Sequence, residues 1–286
     1  MKKIGLITCE EFANLYDDDR CLVQPFAKAG IELVPVVWDV PTDWNQFDLL
    51  IFRSAWDYHK KTAAFKNWLD RLKTIQTPIY NPIAVIEQNY NKYYLQDLQA
   101  KGFPVIPTLF FDDVRTLSLS QILKEKGWEK AVIKPVISMS AYHTYRFDKT
   151  NYHDLQKNLV NYYEQTSVMV QKFAPEITTE GEWSIIFFDK KYCISALKKP
   201  KKGDFRVQSE LGGTITYPEP PANIIEAAKA ILDSYKEDML YARMDGIIHQ
   251  GHFQLMEAEL IDPELYFRSG EKVQNAFLEA VQARLY

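Results

Sequence analysis

Three carboxylates, Asp245, Glu257 and Glu259, fall within one short segment, DGIIHQGHFQLMEAEL, residues 245–260. Apolar and polar residues alternate on both sides of HQGH, which is the pattern of a β-hairpin. With the hairpin centred on Gly251, Asp245 lies opposite Glu257, and Glu259 shares their face. Like charges facing each other across strands destabilise a sheet, so a positive partner is expected there. Carboxylates offering only oxygen suit Mg²⁺, which takes one or two of them together with substrate phosphates. The same register sets Arg243 opposite Glu259, so a salt-bridged sheet face is the plainer alternative.

Other segments offer chemistry in the same weak, single way. Lys92 opens a helical stretch and Lys134 ends the strand-like AVIKP. A lysine at a strand end can meet phosphate as a point charge, although singly each reads as a surface lysine. In VMVQKFAP, residues 168–175, an apolar strand turns polar and meets proline. Its backbone could bond an adenine edge with Phe173 packed nearby; a simple edge strand is the alternative. KKPKKGDFRVQSELGG, residues 198–213, is basic, loop-like and ends on a glycine pair. Such a loop can clamp phosphates or shield them from water, or it can be an ordinary solvated surface. His249 and His252 read as turn residues, and His59, His143 and His153 are isolated, too few and too scattered for zinc. The chain has no GxSxG, Walker A or HExxH pattern.

The elements that must carry these groups follow from periodicity. KKIGLIT, IELVPVVWDV and FDLLIF read as strands, with helices over CLVQPFAKAG and FKNWLDRLK and a short strand in TPIYNP. This alternation predicts an open α/β sheet, in which ligands bind beyond the carboxyl ends of strands. Arg53, Ser54, Trp56, Asp57 and Tyr58 lie at one such end, and Asp17, Asp18 and Asp19 in the loop after another. No GxGxxG follows the first strand, so a dinucleotide fold lacks its main support. Beyond about residue 87 the texture changes to helix and extended segments in an α+β order. GEWSIIFFDKKYCISALKKP reads as a hairpin with DKK as its turn, and helices are expected at 221–236 and 270–285.

Length and composition bound the reading. The chain has 286 residues, is 47% hydrophobic and carries a net charge of −4, with a pI near 5.8. That supports a large core in two domains or lobes, and the acidic balance argues against a general nucleic-acid partner. Cys9, Cys21 and Cys193 are too scattered for a disulfide framework and fit a reducing cytoplasm. The start MKKIGLITC imitates a signal peptide only faintly, and no run reaches membrane-spanning length. A soluble cytoplasmic protein is expected, and apolar faces in the N-terminal lobe make a homodimer unsurprising.

The order of these pieces says more than any one of them. A helix lysine, a strand lysine, the QKF linker, the GEWS hairpin, the basic loop with GG, RMD and then EAE resemble the ATP-grasp superfamily. The first lobe resembles the small domain that precedes ATP-grasp domains in glutathione synthetase and D-alanine–D-alanine ligase. FDLLIFRSAWDY, NKYYLQDLQAKGFPVIPT and MEAELIDPELYF look most like a bacterial branch that includes the ligase forming D-cycloserine. The resemblance covers nearly the whole chain. It implies an N-terminal substrate domain over 1–84 and an ATP-grasp domain over 85–286, with 105–170 as a mobile lid lobe.

By this resemblance Lys92 and Lys134 contact ATP phosphates, while Gln171, Lys172 and Phe173 line the adenine. Glu176 or Glu182 holds the ribose. Lys198, Arg206 and Arg243 meet the γ-phosphate or an acyl phosphate, and Asp245, Glu257 and Glu259 hold Mg²⁺. Arg53 is expected to grip the substrate carboxylate or another anionic group beside Ser54, with Asp57 or the Asp17–Asp19 group, Asp19 among them, holding an ammonium; a strand-end cluster in RSAWDY that packs the lobes together is the alternative. Two departures stand out. The superfamily's glycine-rich lid loop is replaced by KPVISMSAYHT, which has no glycine and would rely on Ser138, Ser140 and backbone N–H groups. The last metal ligand, often Asn, is Glu259. The implied activity is an ATP- and Mg²⁺-dependent joining of a small-molecule carboxylic acid to an amine. A small-molecule kinase on the same scaffold, a non-catalytic ATP-binding protein and a metal-binding α/β domain without nucleotide are the alternatives.

Overall fold

The alternating elements of the first eighty residues form a parallel sheet in the computed structural model, which describes residues 1–139, 141–164, 166–207 and 212–285. Its strands are β1 (Lys2–Thr8), β2 (Ile31–Val37), β3 (Leu49–Ser54) and the short β4 (Ile79–Tyr80), in the order β2-β1-β3-β4. Every residue of β3 is buried, as expected for a parallel strand covered on both faces. The chain leaves β1 toward β2 on one side and later returns to β3 on the other. The carboxyl ends of β1 and β3 therefore flank a switch point, where Thr8 pairs with Ser54.

A second, antiparallel sheet holds β5 (Thr108–Phe111), β6 (Lys130–Pro135), β7 (Tyr145–Asp148) and β8 (Val168–Lys172), in the order β5-β8-β6-β7. The helices Leu119–Lys126 and Tyr152–Tyr163 cover one face, burying Ile133, Phe147, Leu159 and Val170. The first of these helices is capped by the Ser118 hydroxyl and ends on left-handed Gly127.

The third sheet carries the carboxylate hairpin. It runs β11-β10-β9-β12-β13, all antiparallel, with β9 (Glu182–Phe188), β10 (Lys191–Lys199), β11 (Thr214–Thr216), β12 (Tyr241–His249) and β13 (His252–Glu259). Asp189 and Lys190 alone turn β9 into β10, both at positive φ, so the turn is one residue shorter than DKK suggests. Gln250 and Gly251 do the same between β12 and β13, where His249 pairs with His252. Positive φ at both central residues matches the strand twist of a two-residue hairpin.

That turn has a consequence for register. Continued without interruption, it would set Asp245 opposite Met256 and send Glu257 to the other face. Instead the register slips between Asp245 and Gly246: Gly246 pairs with Leu255, while Asp245 pairs with Glu257 and Arg243 with Glu259. Met256 is the extra residue of a β-bulge. Gly246 permits the close approach there, because a Cβ would sit 2.3 Å from the Gln254 carbonyl oxygen.

Two cores join the sheets. One combines Ile4, Leu6 and Phe26 with Ile186 and Phe188, and with Phe277 from the C-terminal helix Glu271–Leu285. The other packs the helices Tyr94–Ala100 and Ala222–Asp233 against Ile185, Met244 and Leu255. Among the described residues, no helix is long and apolar enough to cross a membrane.

Candidate active site

The third sheet, the antiparallel second sheet and the edge of the parallel one enclose a single cleft, and the hairpin carboxylates form its floor. Asp245 is held most tightly. Ser184 Oγ donates to Oδ1 at 2.6 Å, Arg243 Nε and Nη2 donate at 3.0 Å, and Lys198 Nζ approaches Oδ2 at 3.2 Å. Burial alone would raise its carboxyl, but Arg243 and Lys198 outweigh that and bring it down to about 2. Glu257 receives Lys92 at 2.9 Å and Lys134 at 3.9 Å. Burial opposes its ionised form, and the two lysines still lower it. Glu259 pairs with Arg243, yet burial together with the nearby Asp245 and Glu257 pushes its carboxyl up. The positive partners anticipated for this face are thus present in the chain itself.

Secondary structure explains why these groups meet. Lys92 precedes the helix Tyr94–Ala100, and its Nζ donates to the Ser138 carbonyl at 2.8 Å. Lys134 projects from β6, where burial lowers its pKa while Glu257 opposes the shift. Lys198 near the end of β10 bridges Glu182 at 2.5 Å and Asp245. Burial works against its charge, but the two acids keep it protonated. Asn89 pins the end of β13, donating to the Ala258 carbonyl and accepting from Leu260 N–H, and the Tyr94 hydroxyl accepts from Ala258 N–H.

One end of the cleft is apolar. Ile106, Ala174, Ile177, Val207 and the bulged Met256 line it beside Phe173. Phe205 meets Phe173 edge-on at 6.1 Å, and the Arg146 guanidinium lies over both rings. Gln171 donates to Thr108 Oγ1 at 3.0 Å, and Lys172 reaches the same wall. Arg206 is present but bound to Asp204 at 2.9 Å. In the glycine-free lid stretch, Ala141 and His143 adopt positive φ, so non-glycine residues take backbone angles that favour glycine. Ser138 and Met139 line the cleft, whereas Ser140 lies outside the described residues.

Five expected site residues sit elsewhere. Glu176 accepts from His249 Nδ1 at 2.5 Å, away from the cleft wall, which leaves Glu182 there. Arg53 is 1% exposed and pairs with Asp19 at 2.9 Å and with the Pro263 carbonyl at 3.0 Å. Ser54 is buried at the end of β3. Asp57 accepts from Trp38 Nε1 and pairs with Lys61. None of Arg53, Ser54, Asp19 and Asp57 lines the cleft. Tyr16, Trp56, Tyr58, Asp262, Glu264 and Tyr266 take those places in its wall. Apart from Tyr16, which lies just before the Asp17–Asp19 run, their only trace in the sequence was their position within RSAWDY and LIDPELYF, since none lies in a periodic pattern of its own.

The donor set bears on a metal. Asp245, Glu257 and Glu259 offer oxygen alone, the chemistry that Mg²⁺ takes. Among the described residues, no three His, Cys, Asp or Glu groups converge as a ready cage. A preassembled cage is not required of magnesium, which draws part of its shell from phosphates and water.

This architecture has known counterparts. Residues 4–81 match the family described as D-cycloserine synthetase DcsG, N-terminal domain, and residues 100–260 match prokaryotic glutathione synthetase, ATP-grasp domain. The cycloserine biosynthesis protein DcsG of Streptomyces lavendulae is 24% identical over 176 residues, 60% of this chain and 58% of that protein, less than two thirds of the relative's length. The crystal structure of D-cycloserine synthetase DcsG superposes with a TM-score of 0.87 at 21% identity, covering 99% of this chain and 100% of that one. D-alanine–D-alanine ligase from Bacillus anthracis, complexed with ATP, gives a TM-score of 0.68 at 15% identity over 99% of both chains. With more than half of its length matched, the chain belongs to the ATP-grasp family of prokaryotic glutathione synthetase, on the side of that family near D-cycloserine synthetase.

Proposed function

We propose that this chain is an ATP- and Mg²⁺-dependent ligase. It would activate a small-molecule carboxylate as an acyl phosphate and pass it to an amine, releasing ADP and phosphate. The observation that carries this reading is the convergence of Lys92, Lys134, Lys198 and Arg243 on the hairpin carboxylates, beside an apolar pocket in the same cleft. Relatives whose names describe ligases share the fold.

The chemistry follows from charge. A carboxylate is a poor electrophile until its oxygen becomes part of a better leaving group. Transfer of a phosphoryl group needs little covalent help and much positioning and charge neutralisation. Ile106, Ala174, Ile177, Met256 and Phe173 would pack the adenine, and the Gln171–Phe173 backbone would bond its edge. Lys92 and Lys134 would turn from Glu257 to the phosphates. Lys198 and Arg243 would neutralise charge growing on the transferred group, joined by Arg206 if it leaves Asp204. Asp245, Glu257 and Glu259 would hold Mg²⁺, which would offset the charge of the phosphates. Residues 105–170 would act as the lid that keeps water from the acyl phosphate, over a substrate domain of residues 1–84.

The test is a screen of carboxylic acids with and without amines, reading phosphate release and product mass. Phosphate release that requires both partners, with an amide product, supports the ligase. A stable phosphorylated acceptor without free phosphate would make the protein a kinase on this scaffold.

A further inference from the structure

Resting on the ligase reading, we propose that the amine substrate binds as a cation, with its ammonium seated on Asp262 at the Trp56 and Tyr58 end of the cleft.

The argument starts from an inventory of the cleft's acids. Glu182 and Asp245 have Lys198, Glu257 has Lys92, Glu259 has Arg243, and Glu264 has Arg268. Asp262 stands apart: among the described residues, no Lys, Arg or His nitrogen lies within 4.0 Å of its carboxylate. Its side chain is nonetheless buried, with 3% of the residue exposed, and it lines the cleft. The Ala55 N–H donates to its carboxylate, while Oδ2 has no hydrogen-bond partner. A buried acceptor without a partner is rare and calls for an explanation.

The placement is rigid, so the orphan is not an accident of a loose loop. Trp56 Nε1 donates to the Asp262 carbonyl at 2.8 Å, and Arg53 donates to the next carbonyl, that of Pro263, at 3.0 Å. Arg53 Nε pairs with Asp19 while its Nη1 has no hydrogen-bond partner, so Arg53 acts on Asp262 only through space and makes no ion pair with it. Burial pushes the Asp262 carboxyl up to about 7, with Arg53 opposing the shift and Asp19 adding to it.

A substrate ammonium supplies both things this carboxylate lacks, a positive charge and an N–H donor. The neighbouring wall suits the same group. Trp56 and Tyr16 stand edge-to-face at 4.8 Å, and aromatic rings attract cations. Tyr58, in the same wall, lies within electrostatic range of Asp262, Glu259 and Glu257, so a nitrogen held on Asp262 shares its end of the cleft with carboxylates assigned to the phosphoryl centre.

The experiment is isothermal titration of the full chain with 1,3-diaminopropane, with 1,3-propanediol as a neutral match and with malonate as an anionic match. It is run with Mg²⁺ and a non-hydrolysable ATP analogue, and again without nucleotide. The diamine should bind saturably, the diol and malonate should not, and Asp262→Asn should weaken the diamine about tenfold or more while leaving the analogue's affinity unchanged. Equal binding of diamine and diol, no diamine binding, or full diamine affinity in Asp262→Asn would overturn the inference. The charge preference of the native protein decides the matter if the variant does not fold. A chain that ignores the ATP analogue refutes the ligase reading instead, and the nucleotide-free titration still reports on Asp262.

Discussion

Replacing Arg53 by Met should damage the fold rather than substrate binding. The guanidinium is 1% exposed and its Nε is 2.9 Å from Asp19, itself fully buried. It also donates to the Pro263 carbonyl and lies 5.6 and 5.3 Å from the Tyr241 and Phe267 ring centres. Removing one partner of a buried ion pair leaves an uncompensated charge and costs about 3–5 kcal/mol. In a chain of this size each kcal/mol lowers Tm by roughly 2–4 °C, so a fall on the order of 10 °C is expected. Asp19→Asn in the same background should restore part of the loss, because the orphaned carboxylate is then gone, giving a coupling of about 1–3 kcal/mol. Chemical denaturation of the native protein, both single variants and the double variant measures this cycle. The reasoning fails if Arg53→Met keeps native stability to within about 1 kcal/mol, or if the two substitutions add without coupling. A variant of native stability with a raised KM for the acid would return Arg53 to the substrate.

Other consequences can be checked alongside. Glu257→Gln removes the counter-charge of Lys92 and Lys134 and a proposed Mg²⁺ ligand, so magnesium-dependent turnover should fall on the order of a hundredfold with the circular dichroism spectrum intact. Near-normal turnover would remove Glu257 from the metal site. Gly246→Ala places a methyl group 2.3 Å from the Gln254 carbonyl oxygen and should cost about 1–3 kcal/mol or more, read by denaturation. Asp262 has a folded pKa near 7, above its ordinary value, so the folded state prefers the protonated acid. Its contribution is complete below about pH 4 and is lost as the pH rises through 7, a decline on the order of 4 kcal/mol at most. Stability curves at pH 5 and 8 should therefore slope less steeply for Asp262→Asn than for the native protein.

Legibility followed the kind of signal each region carried. Continuous apolar runs such as LLIF leave little choice but buried strands, and the parallel sheet was readable from them. The carboxylate face was also readable, but through a compensation. Centring the hairpin on Gly251 gave the observed pairing, whereas the chain reaches it with a turn half a residue away and a bulge at Met256. A bulge depends on tertiary packing and leaves only a glycine in the sequence. The strand-end polar residues were the least legible, because sequence cannot tell a side chain facing a cleft from one facing its own fold. The run Asp17–Asp19 shows this. Asp17 pairs with Arg20, Asp18 accepts from the Phe267 and Arg268 N–H groups, and Asp19 neutralises Arg53. Asp18 and Asp19, both buried, hold structure together where an ammonium site was expected, while Asp17 makes only an exposed pair within its own turn. Asp262, a single acid before a proline, carried no periodic signal at all.

The most direct test of the account is a thermal-shift titration of the full chain with ATP, with and without Mg²⁺. Ligand at a hundred times its Kd stabilises the folded state by about 2.7 kcal/mol, a rise in Tm that is easily resolved. The account predicts a clear rise with ATP that grows when Mg²⁺ is added and shrinks in Glu257→Gln. No rise under either condition would contradict the nucleotide site, and the ligase proposal with it.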